Sequence, residues 1–559
     1  MKPPNAHRIL LAFLALALPL AVGGGCTSVR KNYPKNHSET ILPPTDTGIA
    51  SAINATLARQ PAGHSGFRLL AYSNEALTAR IALADQAVSS LDVQYYIIHD
   101  DPTGRLVLKH ILAAADRGVR VRLLIDDIHI AGNDRNILAL GAHPKIEVRI
   151  FNPFKIRQSF ALATATQWLL DGRRLNRRMH NKSFIIDGHA AIIGGRNIGD
   201  EYFDARQDIN FRDLDVLAVG PIVSQISKSF DAFWNSDAAY PLDAFYRRTK
   251  TPRKLDRYRA TLAETARPFP PTHNIRVLFS PTFAINDGDN DPFKDDEPAP
   301  PPSPSLSAPP SPPGAPAPPR FRWCWAPARL VADAPDKANP DDPKKGPHIG
   351  EQLAGIITTA NNELLLISPY LVPRQHGVDM FASLSKRGVG VKILTNSLAS
   401  TDVPIVHAGY KRYRVPLLQT GAQLYELRAL ASAIKKRFFR GKRTGISLHA
   451  KAFVIDRRFT FIGSMNIDPR SELLNTEMGV LVESDELSRE LAAFFNEAIE
   501  PDSSYQLLLA PPDPCGRLKI HWTSETDGQP ITHKREPKAS IWRRLKNSLL
   551  RLLPIEGLL

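Results

Sequence analysis

Cysteine is scarce in this chain: 559 residues hold three, Cys26, Cys324 and Cys515. That number excludes a disulfide framework and a structural zinc site, and it implies no sulfur chemistry. The N-terminal apolar run, from Ile9 to Val22, falls short of a membrane span. Acidic charge is outweighed, with 71 Lys and Arg against 56 Asp and Glu and a formal charge of +15. Such a surface attracts phosphate-rich partners, and charge alone does not separate an anionic membrane from nucleic acid.

What the chain does hold is a repeat. His180, Lys182 and Asp187 stand in MHNKSFIIDG, and His449, Lys451 and Asp456 stand in LHAKAFVIDR, 269 residues further on. Each run continues to a small-residue turn and an amide: Gly194, Gly195, Arg196, Asn197 in the first, and Gly463, Ser464, Met465, Asn466 in the second. A single H-x-K-x4-D with G-x-x-N is a weak signal. Two copies with identical offsets point to a shared site.

The repeat extends outward. SSLDVQYYI (89–97) corresponds to NELLLISPYLV (362–372), and DRGVRVRLLIDD (116–127) to KRGVGVKILTNS (386–397). FRDLDVLAVG (211–220) corresponds to NTEMGVLVES (475–484), and SFDAFWNS (229–236) to LAAFFNEA (491–498). Apolar β-rich runs separated by helical patterns predict an α/β sandwich domain used twice, the reactive runs meeting at a pseudo-twofold interface.

This organisation divides the chain into an export segment (1–26), a linker (27–64), a first domain (65–286), an insertion (287–320), a second domain (321–510) and a C-terminal extension (511–559). The insertion is acidic and then about half proline, so it should form a mobile polyproline-like excursion. The export segment has Lys2 and Arg8 ahead of the apolar run, and its end resembles a bacterial lipoprotein box with Cys26 as the lipidated residue. The other reading is an uncleaved anchor; both put the chain at a membrane, and the lipoprotein reading makes it exported and periplasm-facing. In the extension, Ile541, Trp542, Leu545, Leu549, Leu552 and Leu553 share one helical face, with Arg543, Arg544, Lys546 and Arg551 largely away from it. That pattern suits a membrane surface or docking on the chain's own domain.

His and Lys two apart on a strand point to one face and reach one pocket. The Lys neutralises phosphate oxygens, and the imidazole attacks phosphorus or moves a proton, so two facing copies supply a nucleophile and a proton donor without a metal or other cofactor. Asn197 and Asn466 offer amide N–H groups to the same phosphate, and Ser464 a hydroxyl where Gly195 cannot. Each imidazole needs an acceptor on its second nitrogen. Glu477 and Asp213 are the candidates, with Asp215 the rival in the first half. Asp187 and Asp456 point away from the His and Lys face and should fix turns by accepting backbone hydrogen bonds. Metal ligation is disfavoured, because the lysines repel a cation and carboxylates are scarce in both runs.

The paired HNKSFIID and HAKAFVID, with GGRN and GSMN, resemble the HKD motifs of the phospholipase D superfamily over nearly all of the chain from about residue 65. The resemblance implies phosphodiester transfer through a phosphohistidine, with His180 as nucleophile and His449 as acid and base. SLDVQYYI, NFRDLDVLAVGP, SPYLVP, TDVPIVHAGYKRYR and the terminal LLPIEGLL resemble bacterial cardiolipin synthases of the type C branch. This implies an anionic phospholipid membrane as partner and cardiolipin formation from phosphatidylglycerol and a second phospholipid, phosphatidylglycerol or phosphatidylethanolamine. A hydrolytic phospholipase D, a metal-independent phosphodiester nuclease and a noncatalytic lipid-binding relic are the alternatives. Export to a membrane argues against a nucleic-acid partner.

Overall fold

A computed structural model describes residues 33–41, 48–130, 135–155, 161–245, 251–268, 323–341, 348–429, 445–526 and 528–551. Cys26, the export segment, the proline-rich insertion and Leu552 and Leu553 lie outside the described residues.

The first half supplies β1 (Ser65–Leu70), β2 (Ser90–Tyr95), β3 (Arg120–Asp126), β4 (Ile146–Phe151), β5 (Ser183–Ile186), β6 (Ala190–Gly194), β7 (Ile209–Arg212), β8 (Asp215–Val219) and β9 (Ala239–Pro241). The second supplies β10 (Cys324–Ala326), β11 (Ala328–Ala332), β12 (Glu363–Ile367), β13 (Gly390–Asn396), β14 (Gln423–Leu427), β15 (Gly445–Leu448), β16 (Lys451–Ile455), β17 (Phe459–Gly463), β18 (Met478–Glu483), β19 (Ser504–Ala510), β20 (Lys519–Thr526) and β21 (Gln529–His533). One sheet runs β10-β1-β8-β6-β5-β2-β3-β4-β9 and the other β11-β18-β17-β16-β12-β13-β14-β19-β20-β21. From β8 to β9 and from β18 to β19 the order is the same, as the internal repeat requires.

Strand alternation sorts the apolar residues into layers. In β12, Leu365 and Ile367 face inward to a core shared with Phe67, Leu69, Ile193 and Val216 of the first sheet. Leu364 and Leu366 face outward to Phe381 and Leu384 of the helix Arg374–Lys386. The helices Pro221–Asn235 and Asp485–Ile499 add Phe230, Trp234, Phe494 and Phe495 to the shared core. Both faces of each central strand are therefore covered, which explains their unbroken apolar runs.

Three of the boundaries read from sequence shift in the structure. β10 adds to the edge of the first sheet, Gly66 pairing with Trp325, so this part of the proposed second domain completes the first. The linker includes an extended stretch held on the first domain: Arg122 donates to the Ser38 carbonyl (2.8 Å), and Lys35 to the Asp237 carbonyl (2.8 Å). The C-terminal extension continues the second sheet through β20 and β21. In each case an edge strand or buried arginine needed backbone partners that a local reading of sequence leaves out. No helix among the described residues is long and apolar enough to cross a membrane.

Candidate active site

The two halves exchange backbone at the reactive runs. β7 pairs in parallel with β15, Arg212 opposite Leu448, as a two-stranded sheet of its own. His449 N–H donates to the Arg212 carbonyl (2.8 Å), and His180 N–H to the Thr476 carbonyl (2.9 Å), with Met179 bridged to Thr476. His180 and Lys182 thus precede β5, and His449 lies between β15 and β16; neither His is on a strand of the main sheets as the sequence suggested. Their backbone hydrogen bonds go to the opposite half.

That exchange decides the acids. His180 Nδ1 lies 2.8 Å from Glu477 Oε2 of the second half, and His449 Nδ1 lies 2.6 Å from Asp213 Oδ2 of the first. A carboxylate this close can only accept, so the proton sits on Nδ1 and Nε2 is left toward the pocket. Lys451 Nζ, 2.9 Å from His449 Nδ1, is a neighbour and not the donor to that nitrogen. Asp215, the rival in the first half, instead accepts from Arg80 (2.8 Å) and from Arg196 (3.3 Å).

All of these side chains are buried: His180 is 7 % and His449 5 % exposed, and Lys182, Lys451, Asp213 and Glu477 are at or below 1 %. Burial lowers the His180 imidazole to about 4, against the pull of Glu477. It also takes Lys182 down to about 7 and Lys451 to about 8, with Glu477 and Asp213 opposing. The Lys451 charge acts on both His180 and Lys182, which places the two motifs in one electrostatic pocket. Burial would raise the acids, but the facing imidazole and lysines outweigh it: Glu477 is lowered, and Asp213 is held well below the usual carboxylate range. Each lysine also turns one N–H back onto its own His carbonyl, Lys182 at 2.6 Å.

Two of the predicted phosphate donors also bond within the protein. Ser464 Oγ donates to Glu477 Oε2 (2.5 Å), the oxygen that also faces His180. Asn197 Nδ2 donates to Tyr202 Oη (2.8 Å), and its Oδ1 accepts from Ile97 N–H (3.2 Å), so one amide hydrogen is committed to holding a ring. Asn466 Oδ1 is buried with no hydrogen-bond partner among the described residues, and its N–H donates to Ser471 (3.3 Å). Asp187 accepts N–H from Val88, Ser89 and Ser90 (2.7–3.0 Å), and Asp456 from Asn361, Asn362 and Glu363 (2.7–2.9 Å). Each carboxylate ties its hairpin to the strand beside it.

Sequence reasoning missed the walls and the clamps. Tyr96 meets the His180 ring edge-on (5.0 Å), Tyr202 meets His449 edge-on (5.2 Å), Phe211 stacks on His449 (5.0 Å), and Tyr370 stands perpendicular to it (6.5 Å). Tyr96 and Tyr370 stand just beyond the ends of β2 and β12, the one signal available in the sequence. Asp126, at the end of β3, accepts Met179 N–H (2.9 Å) and pairs with Arg178 (2.7 Å); Asn396, at the end of β13, accepts Leu448 N–H (2.9 Å) and donates to its carbonyl (2.8 Å). Asp126 and Asn396 occupy matched positions in the aligned LLIDD and ILTNS. Each holds the residue before a reactive His.

The family description "Cardiolipin synthase, PLD-like domain" matches residues 80–234 and 353–499, one match around each motif. Cardiolipin synthase C of Escherichia coli is 38% identical over 514 residues, covering 91% of this chain and 99% of that protein. An uncharacterized protein of Helicobacter pylori is 31% identical over 549 residues, 98% of this chain and 99% of its own length. A cardiolipin synthase of Staphylococcus aureus is 22% identical, covering 84% of this chain and 68% of that protein. With a family match around each reactive run and this coverage, the chain belongs to the phospholipase D superfamily, among its cardiolipin synthase-like phosphatidyltransferases.

Proposed function

We propose that the protein forms cardiolipin, transferring a phosphatidyl group from phosphatidylglycerol or phosphatidylethanolamine to a free glycerol hydroxyl of a second phosphatidylglycerol. The observation that carries this reading is the reciprocal pairing of two buried imidazoles, each with the acid of the other half. In the first step His180 Nε2 attacks phosphorus, the bond to the headgroup oxygen breaks, and His449 gives that oxygen its proton. In the second, His449 takes the proton of the acceptor hydroxyl, whose oxygen attacks phosphorus and breaks the P–N bond, freeing His180. Lys182 and Lys451 balance the phosphate charge; Glu477 and Asp213 hold the tautomers. Asn466 faces the transferring phosphate, while Asn197 acts through Tyr202 and Ser464 through Glu477.

Purified protein given isotopically labelled phosphatidylglycerol and phosphatidylethanolamine should yield labelled cardiolipin by mass spectrometry, and His180→Ala should yield none. Phosphatidic acid without cardiolipin would make water the acceptor, and identical products from both proteins would remove the reading.

A further inference from the structure

Among the described residues, the large apolar side chains at least three-quarters exposed are Leu169, Leu170, Ile541 and Trp542. The last two belong to the C-terminal helix Ile541–Leu550. Ile541, Trp542, Leu545 and Leu549 fall within about 100° of its circumference, given roughly 100° per residue. They are 75, 79, 49 and 58 % exposed. Asn547, on the opposite side, is fully buried and donates to the Pro404 carbonyl (2.6 Å). Arg543 donates to the Thr401 carbonyl (2.5 Å), and Arg412 reaches back to the Arg551 carbonyl. The helix is therefore docked by its polar side and presents its apolar side outward, the reverse of an ordinary surface helix.

We infer that this outward face is the surface by which the protein seats on an anionic phospholipid bilayer. Charge complementarity selects that occupant. Lys546 and Arg544 border the apolar stripe on its two sides, Arg551 follows the helix, and the whole chain carries +15, a combination that suits acidic headgroups around inserted Trp and Leu side chains. The loop clasped by Arg543 carries Asp402, which accepts from Tyr370 Oη (2.7 Å), and the Tyr370 ring stands against His449. The docking helix is thus three contacts from the reactive centre. Leu169 and Leu170 lie just before the first motif, on the helix Ala161–Leu175.

The full chain is mixed with vesicles of equimolar phosphatidylcholine and phosphatidylglycerol carrying brominated acyl chains, which quench only tryptophans that enter the bilayer. Quenching should fall in Trp542→Phe relative to the unaltered chain; equal quenching overturns the inference, and this arm needs no catalysis. The second arm rests on the proposed phospholipid substrate. In Leu545→Asp/Leu549→Asp the ratio of turnover on vesicles to turnover on dispersed short-chain phosphatidylglycerol should fall roughly tenfold or more, because two apolar contacts become charged. An unchanged ratio overturns the docking surface, whereas inactivity of the unaltered chain on both substrates overturns the reaction alone. A concentration-dependent dimer by sedimentation, lost in the double variant, would make the occupant a second copy and overturn the bilayer assignment.

Discussion

The two halves hold their histidines with the same backbone device and different charges. Before His180, the Asp126 carboxylate takes a backbone N–H and is neutralised by Arg178; before His449, the Asn396 amide does the same task with no charge. Further along, the first half has Gly195 where the second has Ser464. A Cβ at Gly195 would sit 2.2 Å from Asp213 Oδ1, so this position stays bare where Asp213 approaches. In the second half the hydroxyl of Ser464 occupies the Glu477 oxygen that faces His180. A carboxylate oxygen already accepting a hydroxyl proton stabilises an imidazolium less than one facing the imidazole alone. Duplication therefore supplies matching positions, and local substitution makes the two imidazoles unequal, a difference that fits the proposed division with His180 as nucleophile and His449 as proton carrier.

The sharpest way to break that contrast is to remove the need for a proton donor. On a phosphatidyl ester with a good leaving group such as nitrophenol, His180→Ala should lose about 10⁴-fold or more in release of the leaving group. His449→Ala should lose no more than about 10²-fold, since only acid catalysis is removed from that step. Reversed losses would exchange the roles of the halves.

The clamps should differ in stability. Asp126→Asn leaves Arg178 charged in a fully buried site and should cost about 3–5 kcal/mol in urea unfolding. Asn396→Ala removes neutral hydrogen bonds and should cost about 1–3 kcal/mol. Equal costs would mean that the ionic character of the first clamp is incidental.

A smaller effect is expected in the pH profile of kcat/KM. His180 must be neutral to attack, so activity falls as pH drops through its value of about 4. Lys182 must be cationic to meet the phosphate, so activity falls as pH rises through about 7. Lys182→Arg, whose side chain stays charged, should move the alkaline limb up by about one unit or more while leaving the acid limb in place. An unmoved alkaline limb would assign it to another group, His449 being the first candidate, because the first step needs it protonated and burial, with Lys451 beside it, lowers its pKa.

Much of the fold was legible because a repeated chain carries its own alignment. The matched LLIDD and ILTNS strands coincide with β3 and β13 and already set Asp126 opposite Asn396, although their task was invisible without coordinates. Less legible were the aromatic walls: Tyr202 and Phe211 reach His449 only because the halves dock, and nothing in their spacing announces it. Ser464 and Asn197 were assigned to phosphate from residue type. Type states what a side chain can donate, not which acceptor is nearer.

The residues alone determined the duplication and the paired reactive sets, because strand period and motif offset are properties of the chain's own order, and those sets carried the family resemblance. The tertiary structure decided that each imidazole takes its acid from the other half, that two donors turn inward, and that the C-terminal helix points its apolar side out. The first and last of these depend on which surfaces meet across more than a hundred residues, and the second on which acceptor the fold brings nearest; close packing and the pairing of buried polar groups choose among partners that local sequence leaves equal.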